Sequence, residues 1–289
     1  MAQLLLNGLA LGAAYALVAL GFVLVLNATG AVNFAQGDMV VAGGYAAVAF
    51  AGLLPDMPGI LLLPLVLALM AGLGLLFSAL AYFPLKRRPP TAVFISTIAG
   101  GIILQNGITA LFGSAPRSAP LLLGEGGFQG QGFLADRQTL AILGVAALLI
   151  LGQHFLLSRT QLGRQLRATA QDRDMAQALG VPVNRMIALT FALGAALAGA
   201  AGLLLANRFF VTPTSGGDLM LKAYIAVAIG GWGSLPGAVL GALLIALFEV
   251  LIAGWISYTV ASVALYGALL VILFLRPQGL LGEAAQRRA

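Results

Sequence analysis

The sequence predicts an all-α, polytopic membrane helix bundle of about eight or nine transmembrane helices. Three observations carry that prediction. The first is composition: of 289 residues, 61% are hydrophobic and only 8% are charged, about a third of the charge density of a soluble domain. The second is run length, because several apolar stretches reach the roughly 20 residues needed to cross about 30 Å of hydrocarbon. The third is where the charges lie: the basic residues cluster between apolar runs, so the net charge of +6 is no nucleic-acid signal. Mean hydropathy is +1.02. The chain has no cysteine and one histidine, which excludes disulfides and thiolate chemistry.

The runs fall in order along one domain, 1–289. The first, 3–26, lies in MAQLLLNGLALGAAYALVALGFVLVL. It lacks the basic flank of a signal peptide and is too long for its apolar core, so a retained first span is expected. The second, 36–54, opens on AVNFAQGD and is expected to be irregular at its start. Runs at 60–82, 93–113, 139–157 and 187–206 follow. The seventh, 221–231, is short and ends in Gly230-Gly231-Trp232-Gly233, which suits a half-helix. Runs at 236–254 and 258–275 complete the set.

Orientation follows the basic residues of the loops. Lys86, Arg87 and Arg88 follow the third run, and Arg159, Arg164, Arg167, Arg173 and Arg185 lie between the fifth and sixth. Arg276, Arg287 and Arg288 follow the last. Counting nine spans puts 11 of 15 basic residues on the cytoplasmic side and the N-terminus outside. Small residues recur on single helix faces: Gly8, Gly12 and Ala16; Gly194, Ala198 and Gly202; Gly237 and Gly241. Such faces let helix backbones approach closely in lipid.

Between the fifth and sixth spans, the loop 158–186 holds a polar island, RATAQDRDMAQALGVPVNRM. Thr169-Ala170-Gln171-Asp172 fits a capping pattern, Gly180 can close a helix, and Pro182 blocks its continuation. A helix over about 170–180 is expected, with Met175 and Leu179 four apart on one face and Asp172, Arg173 and Asp174 adding mixed charge. Its shape suits either docking into a groove of another protein or resting on lipid headgroups. No Gly-Lys-Ser/Thr motif is present, since Lys86 and Lys222 each follow a leucine, so this chain carries no P-loop for ATP.

Asp174-Met175-Ala176-Gln177-Ala178-Leu179-Gly180 resembles the EAA-x-x-x-G loop of ABC importer permeases, although the later Ile-x-Leu-Pro of the wider motif is absent. GAVNFAQGDMVVAGGY (30–45), the stretch 163–206, KAYIAVAIGGWGSLPGAVLGALLIALFEVL (222–251) and RPQGLLG (276–282) resemble the LivH-type permease subunits of branched-chain amino acid ABC transporters, the hydrophobic amino acid uptake family. Trp232 departs from the smaller aliphatic residue usual at its position. The resemblance implies a multi-pass permease of the bacterial inner (plasma) membrane. Its cytoplasmic loop helix would be a coupling helix, with Arg167, Asp172, Asp174, Met175, Ala176, Leu179 and Gly180 as the ATPase-coupling residues. It also implies a second, LivM-type permease, two cytoplasmic ATP-binding subunits and an extracytoplasmic substrate-binding protein. ATP and Mg would sit on those partners, with no cofactor on this chain. The implied cargo is a branched-chain amino acid; urea, short amides or aromatic acids are the alternatives within the same architecture.

Polar residues inside spans are costly and therefore informative. Glu249 lies about 6 Å outward of the middle of the eighth run, by helical rise. With Lys222 it is a pathway candidate or a buried structural pair. Asn33, Gln36 and Asp38 form the other pathway candidate, beside Gly30 and Gly37. Glycine-interrupted segments at 30–44 and 230–241 in the two halves resemble the broken helices that mark transporter pathways. Gln105, Asn106, Asn7 and Tyr15 fit interhelical hydrogen bonds. His154 stands alone, no metal set exists, and no nucleophile–base pair or paired carboxylates support an enzyme. An ion-coupled secondary transporter is the rival class, resting on the single acid Glu249. Trp255 and Tyr258 suit the outer aromatic belt.

Overall fold

A computed structural model of the chain describes residues 1–124, 126–130, 133–276 and 278–282. Arg287 and Arg288 of the basic count lie outside them. Each expected apolar run forms a helix. The helices are α1 Ala2–Thr29, α2 Gln36–Leu53, α3 Leu62–Phe77, α4 Pro90–Phe112, α5 Arg137–Arg159, α6 Gln161–Gln171, α7 Arg173–Ala178, α8 Val183–Ala206, α9 Gly216–Gly230, α10 Leu235–Trp255 and α11 Tyr258–Leu275. α3 is lengthened by a 3₁₀ turn before it, Gly59–Leu61, and by a π-helical turn, Ser78–Tyr82, and a 3₁₀ turn, Phe83–Leu85, after it.

Seven of these helices are long and apolar enough to cross a membrane: α1, extended α3, α4, α5, α8, α10 and α11. Eight or nine were expected; by length and composition alone, seven of the described helices qualify. α9 has 15 residues and rises only about 22 Å, short of the hydrocarbon thickness. α2 carries Gln36 and Asp38 in its first turn and starts beside the middle of α8, where the Gln36 amide donates to the Gly194 carbonyl. A second departure is a short antiparallel pair, β1 Gly127–Gly130 with β2 Phe133–Asp136. Strands this short in a glycine-rich stretch leave no alternating pattern to read.

α1 is the axis of the bundle. It is buried along most of its length and packs on α5, α8, α9 and α10. The small-residue faces are where backbones meet. Gly8 and Gly12 lie against Leu247 and Leu243 of α10, Gly194 against Gly21, and Gly202 against the Val40 carbonyl of α2. Gly237 and Gly241 abut Gly230 and Ala226 of α9. Outward-facing leucines and phenylalanines, such as Leu80, Leu111 and Phe274, are mostly exposed, as expected of a surface solvated by lipid.

The two ends of the bundle differ. At one end α1, α3, α8 and the α6–α7 segment meet: Lys86 donates to Asn184 at 3.1 Å and Arg173 to the Tyr82 hydroxyl at 3.4 Å. At the other, Arg208 bonds Asn7, Thr139 and Asp136, and Arg117 bridges to Val211.

A leucine at Gly202 would collide with the α2 backbone, whereas Gly144 on α5 faces open space. Overpacking of this kind costs about 1–3 kcal/mol. Gly202→Leu is therefore expected to lower the melting temperature in detergent by several degrees, and Gly144→Leu to leave it unchanged. Equal melting temperatures for the two variants would overturn the packing account.

Candidate functional site

The first polar cluster is built on a gap between helices. α1 ends at Gly30, in the left-handed region at φ 64°, and α2 begins six residues later. The backbone of that gap is satisfied from inside the protein. Thr29 Oγ1 accepts from Ala31 N at 3.2 Å, Asn33 Oδ1 accepts from Ala35 N at 3.2 Å, and Phe34 N donates to Thr97 Oγ1 of α4 at 3.2 Å. Asn33 Nδ2 donates to Gln36 Oε1 at 3.4 Å, and Gln36 Nε2 to Gly194 O at 3.1 Å. Asn33 and Gln36 are buried, while Asp38 is half-buried.

The start of α2 packs against two other helices. Gly37 abuts Gly216, and the Asp38 carboxylate lies where side chains on Gly101 of α4 and Gly216 of α9 would project. The start of α2 therefore meets the start of α9, not the 230–241 segment. Two helix N-termini converge near one carboxylate, which is where a negative charge is favoured.

The 230–235 gap has its own partners. The last carbonyls of α9 accept from the returning C-terminal segment: Leu280 N donates to Ile229 O at 2.8 Å and Leu281 N to Gly230 O at 2.9 Å. Asn27 Nδ2 of α1 donates to Gly233 O at 2.8 Å. The Trp232 ring stands near Phe22 of α1 and edge-on to Tyr224 of α9, with centroids 6.2 and 5.2 Å apart.

Lys222 and Glu249 form a buried ion pair at 2.8 Å, at 4% and 3% exposure. Lys222 Nζ also meets the Tyr15 hydroxyl at 3.1 Å, Asp218 Oδ2 at 3.1 Å and the Tyr258 hydroxyl at 3.2 Å. Tyr15 donates onward to Glu249 Oε2 at 3.3 Å. Four oxygens surround an ammonium with three protons, so the group has no donor left over. The cluster ties α9 to α1, α10 and α11. Tyr15, Asp218 and Tyr258 were not recognisable as its members from sequence. The spacing of Asp218 and Lys222 at i, i+4 was the one available signal; Tyr258, expected in the aromatic belt, is 57% exposed and also accepts from Lys222 through its hydroxyl.

The loop between α5 and α8 holds two helices. α6 is capped by Thr160, whose Oγ1 accepts from Gly163 N at 3.0 Å. α7 is capped by Asp172, whose Oδ1 accepts from Met175 N at 3.0 Å. The expected cap, Thr169, is buried within α6, so the later helix has six residues and starts at Arg173. The reason is local: Thr160 starts helix upstream, and Asp172 adopts the extended conformation that interrupts it. The C-terminal end is as expected. Gly180 at φ 83° closes the turn, with Gly180 N bonded to Gln177 O and Val181 N to Ala176 O, both at 3.0 Å, the double bond of a Schellman motif.

This segment presents Arg167, Asp172, Asp174, Met175, Leu179 and Gly180 outward, while Ala176 turns inward. Leu179 is 77% exposed and Met175 59%. Arg173 reaches back to Tyr82, which lies in the π-helical turn and stacks near Phe191 of α8, 5.6 Å between centroids. Among the described residues no His/Cys/Asp/Glu group could hold a metal ion.

Removing one partner of a buried ion pair typically costs about 3–5 kcal/mol, whereas apolar replacement of both is often near neutral. Glu249→Leu and Lys222→Met are each expected to destabilise the purified protein strongly, and the double variant to regain most of the loss. Thermal unfolding in detergent reads this directly. A double variant no better than the worse single would mean that the pair does not hold α9 in place.

Comparison with known proteins places this geometry in context. Residues 4–274 match the family model described as branched-chain amino acid transport system, permease component. The chain is 34% identical over 296 residues to the high-affinity branched-chain amino acid transport system permease protein BraD of Pseudomonas aeruginosa, covering 97% of this chain and 95% of that protein. It is 32% identical over 298 residues to LivH of Escherichia coli, with the same coverage. The autoinducer 2 import system permease protein LsrC of Klebsiella pneumoniae is 35% identical over 139 residues, covering 44% of this chain and 40% of that protein. Among solved structures, a chain of PsaBC from Streptococcus pneumoniae, in complex with Fab, superposes with a TM-score of 0.50 at 17% identity, covering 94% of this chain and 91% of that one; this likeness concerns the fold alone.

Proposed function

The chain belongs to the family of branched-chain amino acid transport permeases, and from that premise we propose that it is the membrane-spanning subunit of an ATP-driven importer carrying branched-chain, hydrophobic amino acids into the cytoplasm. The observation that carries the reading is end-to-end similarity: 32–34% identity over 97% of the chain to permease proteins of that transport system. In this reading the partners are a second, related permease, two ATP-binding subunits that hold ATP and Mg, and an external substrate-binding protein.

The structure suggests how each part serves. α7 is the coupling element. Its exposed Met175 and Leu179 form an apolar knob flanked by Asp172, Asp174 and Arg167, suited to a cleft on an ATP-binding subunit. Movement of that subunit enters the bundle through Arg173 and Tyr82, where a π-helical turn interrupts α3. Such turns recur at functional sites. The seam of Asn33, Gln36 and Asp38, between the starts of α2 and α9, is the pathway element that responds. Lys222 and Glu249 act as a brace, because the lysine's donors are all engaged and the carboxylate is held by Lys222 and Tyr15.

A second reading keeps the architecture and changes the cargo. The partial match to an autoinducer 2 import permease favours it. Uptake of labelled leucine, in cells lacking the chain and then restored, separates the two. Leucine uptake that is lost, regained and dependent on ATP is the expected result; uptake of labelled urea alone following that pattern would move the cargo and leave the architecture. For the coupling element, Leu179→Asp is expected to abolish both uptake and co-purification with the ATP-binding subunits, at an unchanged melting temperature. Full uptake by that variant would remove α7 from the coupling role.

A further inference from the structure

The Lys222 cluster holds one ammonium and two carboxylates, so it carries a surplus negative charge. Lys222 and Glu249 are buried. The surplus therefore shows at Asp218, whose side chain is 48% exposed. Asp218 lies within the membrane span and not at its rim, and two placements fix this depth. Its partner Lys222 bonds the hydroxyl of Tyr15, which stands halfway along α1. Gly216, two residues before it, abuts Gly37 at the start of α2, and that start lies beside the middle of α8. The surroundings of Asp218 are open or polar. Gly217 is exposed, with empty space where a side chain would project. On α11, Tyr258 and Tyr266 are exposed, with Ser262 one turn from each.

A charged side chain at this depth faces the bundle interior or a water-filled space, because lipid tails cannot solvate it. Asp218 is on the outside of the bundle. Lys222 holds its Oδ2 at 3.1 Å. An ionised carboxylate has about four lone-pair sites, so most of its accepting capacity faces outward. A covering helix with no cation would seal an unbalanced charge into hydrocarbon. Water leaves the carboxylate solvated, and a negative charge beside a low-dielectric wall concentrates mobile cations near it. An amino acid carries such a cation, its ammonium group.

Resting on the importer reading above, we propose that the outward face of α9 at Gly217, Asp218 and Leu221 borders a water-filled passage, and that the exposed charge of Asp218 attracts the ammonium group of the amino acid moving through it. Lys222 and Glu249 hold the carboxylate in place and remain a brace. The open space beside Gly217 makes this a charged wall and not a closed pocket. Leu148, exposed beside Gly144 and Leu151 at the middle of α5, is the internal control on a lipid-facing surface.

The chain has no cysteine, so a single introduced thiol reports cleanly. Gly217→Cys or Leu148→Cys is placed in the whole transporter, co-expressed in membranes. Each is treated with two water-soluble methanethiosulfonates, one with a trimethylammonium head and one with a sulfonate head, and modification of this chain is read by intact mass. The Gly217 position is expected to react with both, several-fold faster with the cation, and the Leu148 position with neither. Adding Asp218→Asn is expected to bring the two rates close together while the Gly217 position stays reactive. In an otherwise unchanged chain, Asp218→Asn is expected to slow leucine uptake several-fold at equal membrane abundance, and Asp218→Glu to restore most of it. An unreactive Gly217 position, equal rates with Asp218 in place, or full uptake by the Asp218→Asn variant would overturn the proposal. Leucine uptake by the unmodified chain tests the importer reading separately; its absence would sink that reading whatever the labelling shows.

Discussion

Inside hydrocarbon a backbone polar group has no water to fall back on, and the architecture of this chain follows from that constraint. An unbroken helix meets it internally. A broken helix meets it only if other parts of the protein supply partners. Both main breaks within the bundle are supplied in this way. The gap at 30–35 uses Thr29, Asn33 and, from α4, Thr97. The end of α9 uses Asn27 of α1 and the backbone of the returning segment at 280–281. Irregular backbone at this depth is tolerated where protein covers it or where it lines a cavity. The supply of partners thus fixes which elements must be neighbours, and it makes the C-terminal segment part of the bundle.

The same constraint governs charge, with larger energies. A lone ionised side chain near the middle of a bilayer costs about 2.5–3.5 kcal/mol on insertion scales. Lys222 and Glu249 meet that cost by pairing, with Tyr15, Tyr258 and Asp218 closing the remaining valences. The result is an asymmetric molecule. At the end with Arg208 and the Lys222 cluster, charge-assisted bonds lock α1, α9, α10 and α11 together. At the end with α7, the side-chain ties include an exposed Lys86–Asn184 bond, a 3.4 Å contact from Arg173 to Tyr82 and a 2.8 Å bond from Asn27 to the Gly233 carbonyl.

Much of this was legible in the sequence, and the parts that were not share a cause. Helix existence came from run length and hydropathy, since bilayer thickness sets a length that few soluble elements share. The closure of α7 at Gly180 was legible because a left-handed residue at a helix end nearly demands glycine. The cap was misplaced because Thr169 and Asp172 both suit the position, and only the upstream helix started by Thr160 decides between them. Pairing across the chain was out of reach. Asp38 against Gly216 and Tyr258 bonded to Lys222 depend on how distant helices sit, which no local period encodes. The count of eight or nine was read from apolar runs alone; α2 and α9, which begin against each other, are the two runs outside the seven helices long and apolar enough to cross.

That arrangement also bears on why so few polar groups are available to a cargo. A passage has to release what it admits, and a site that satisfies both charges of an amino acid with fixed partners would hold it. Here the strongest donors and acceptors are already committed. The ammonium of Lys222 is surrounded, the Gln36 amide is bonded to Gly194 and Asn33, and the breaks consume the hydroxyls of Thr29 and Thr97. Asp38 is the exception, a half-buried carboxylate between two glycines and two helix starts. On the importer reading, selection then belongs to the external binding protein, and the membrane subunit is left with the task its polar economy suits, which is to open and close.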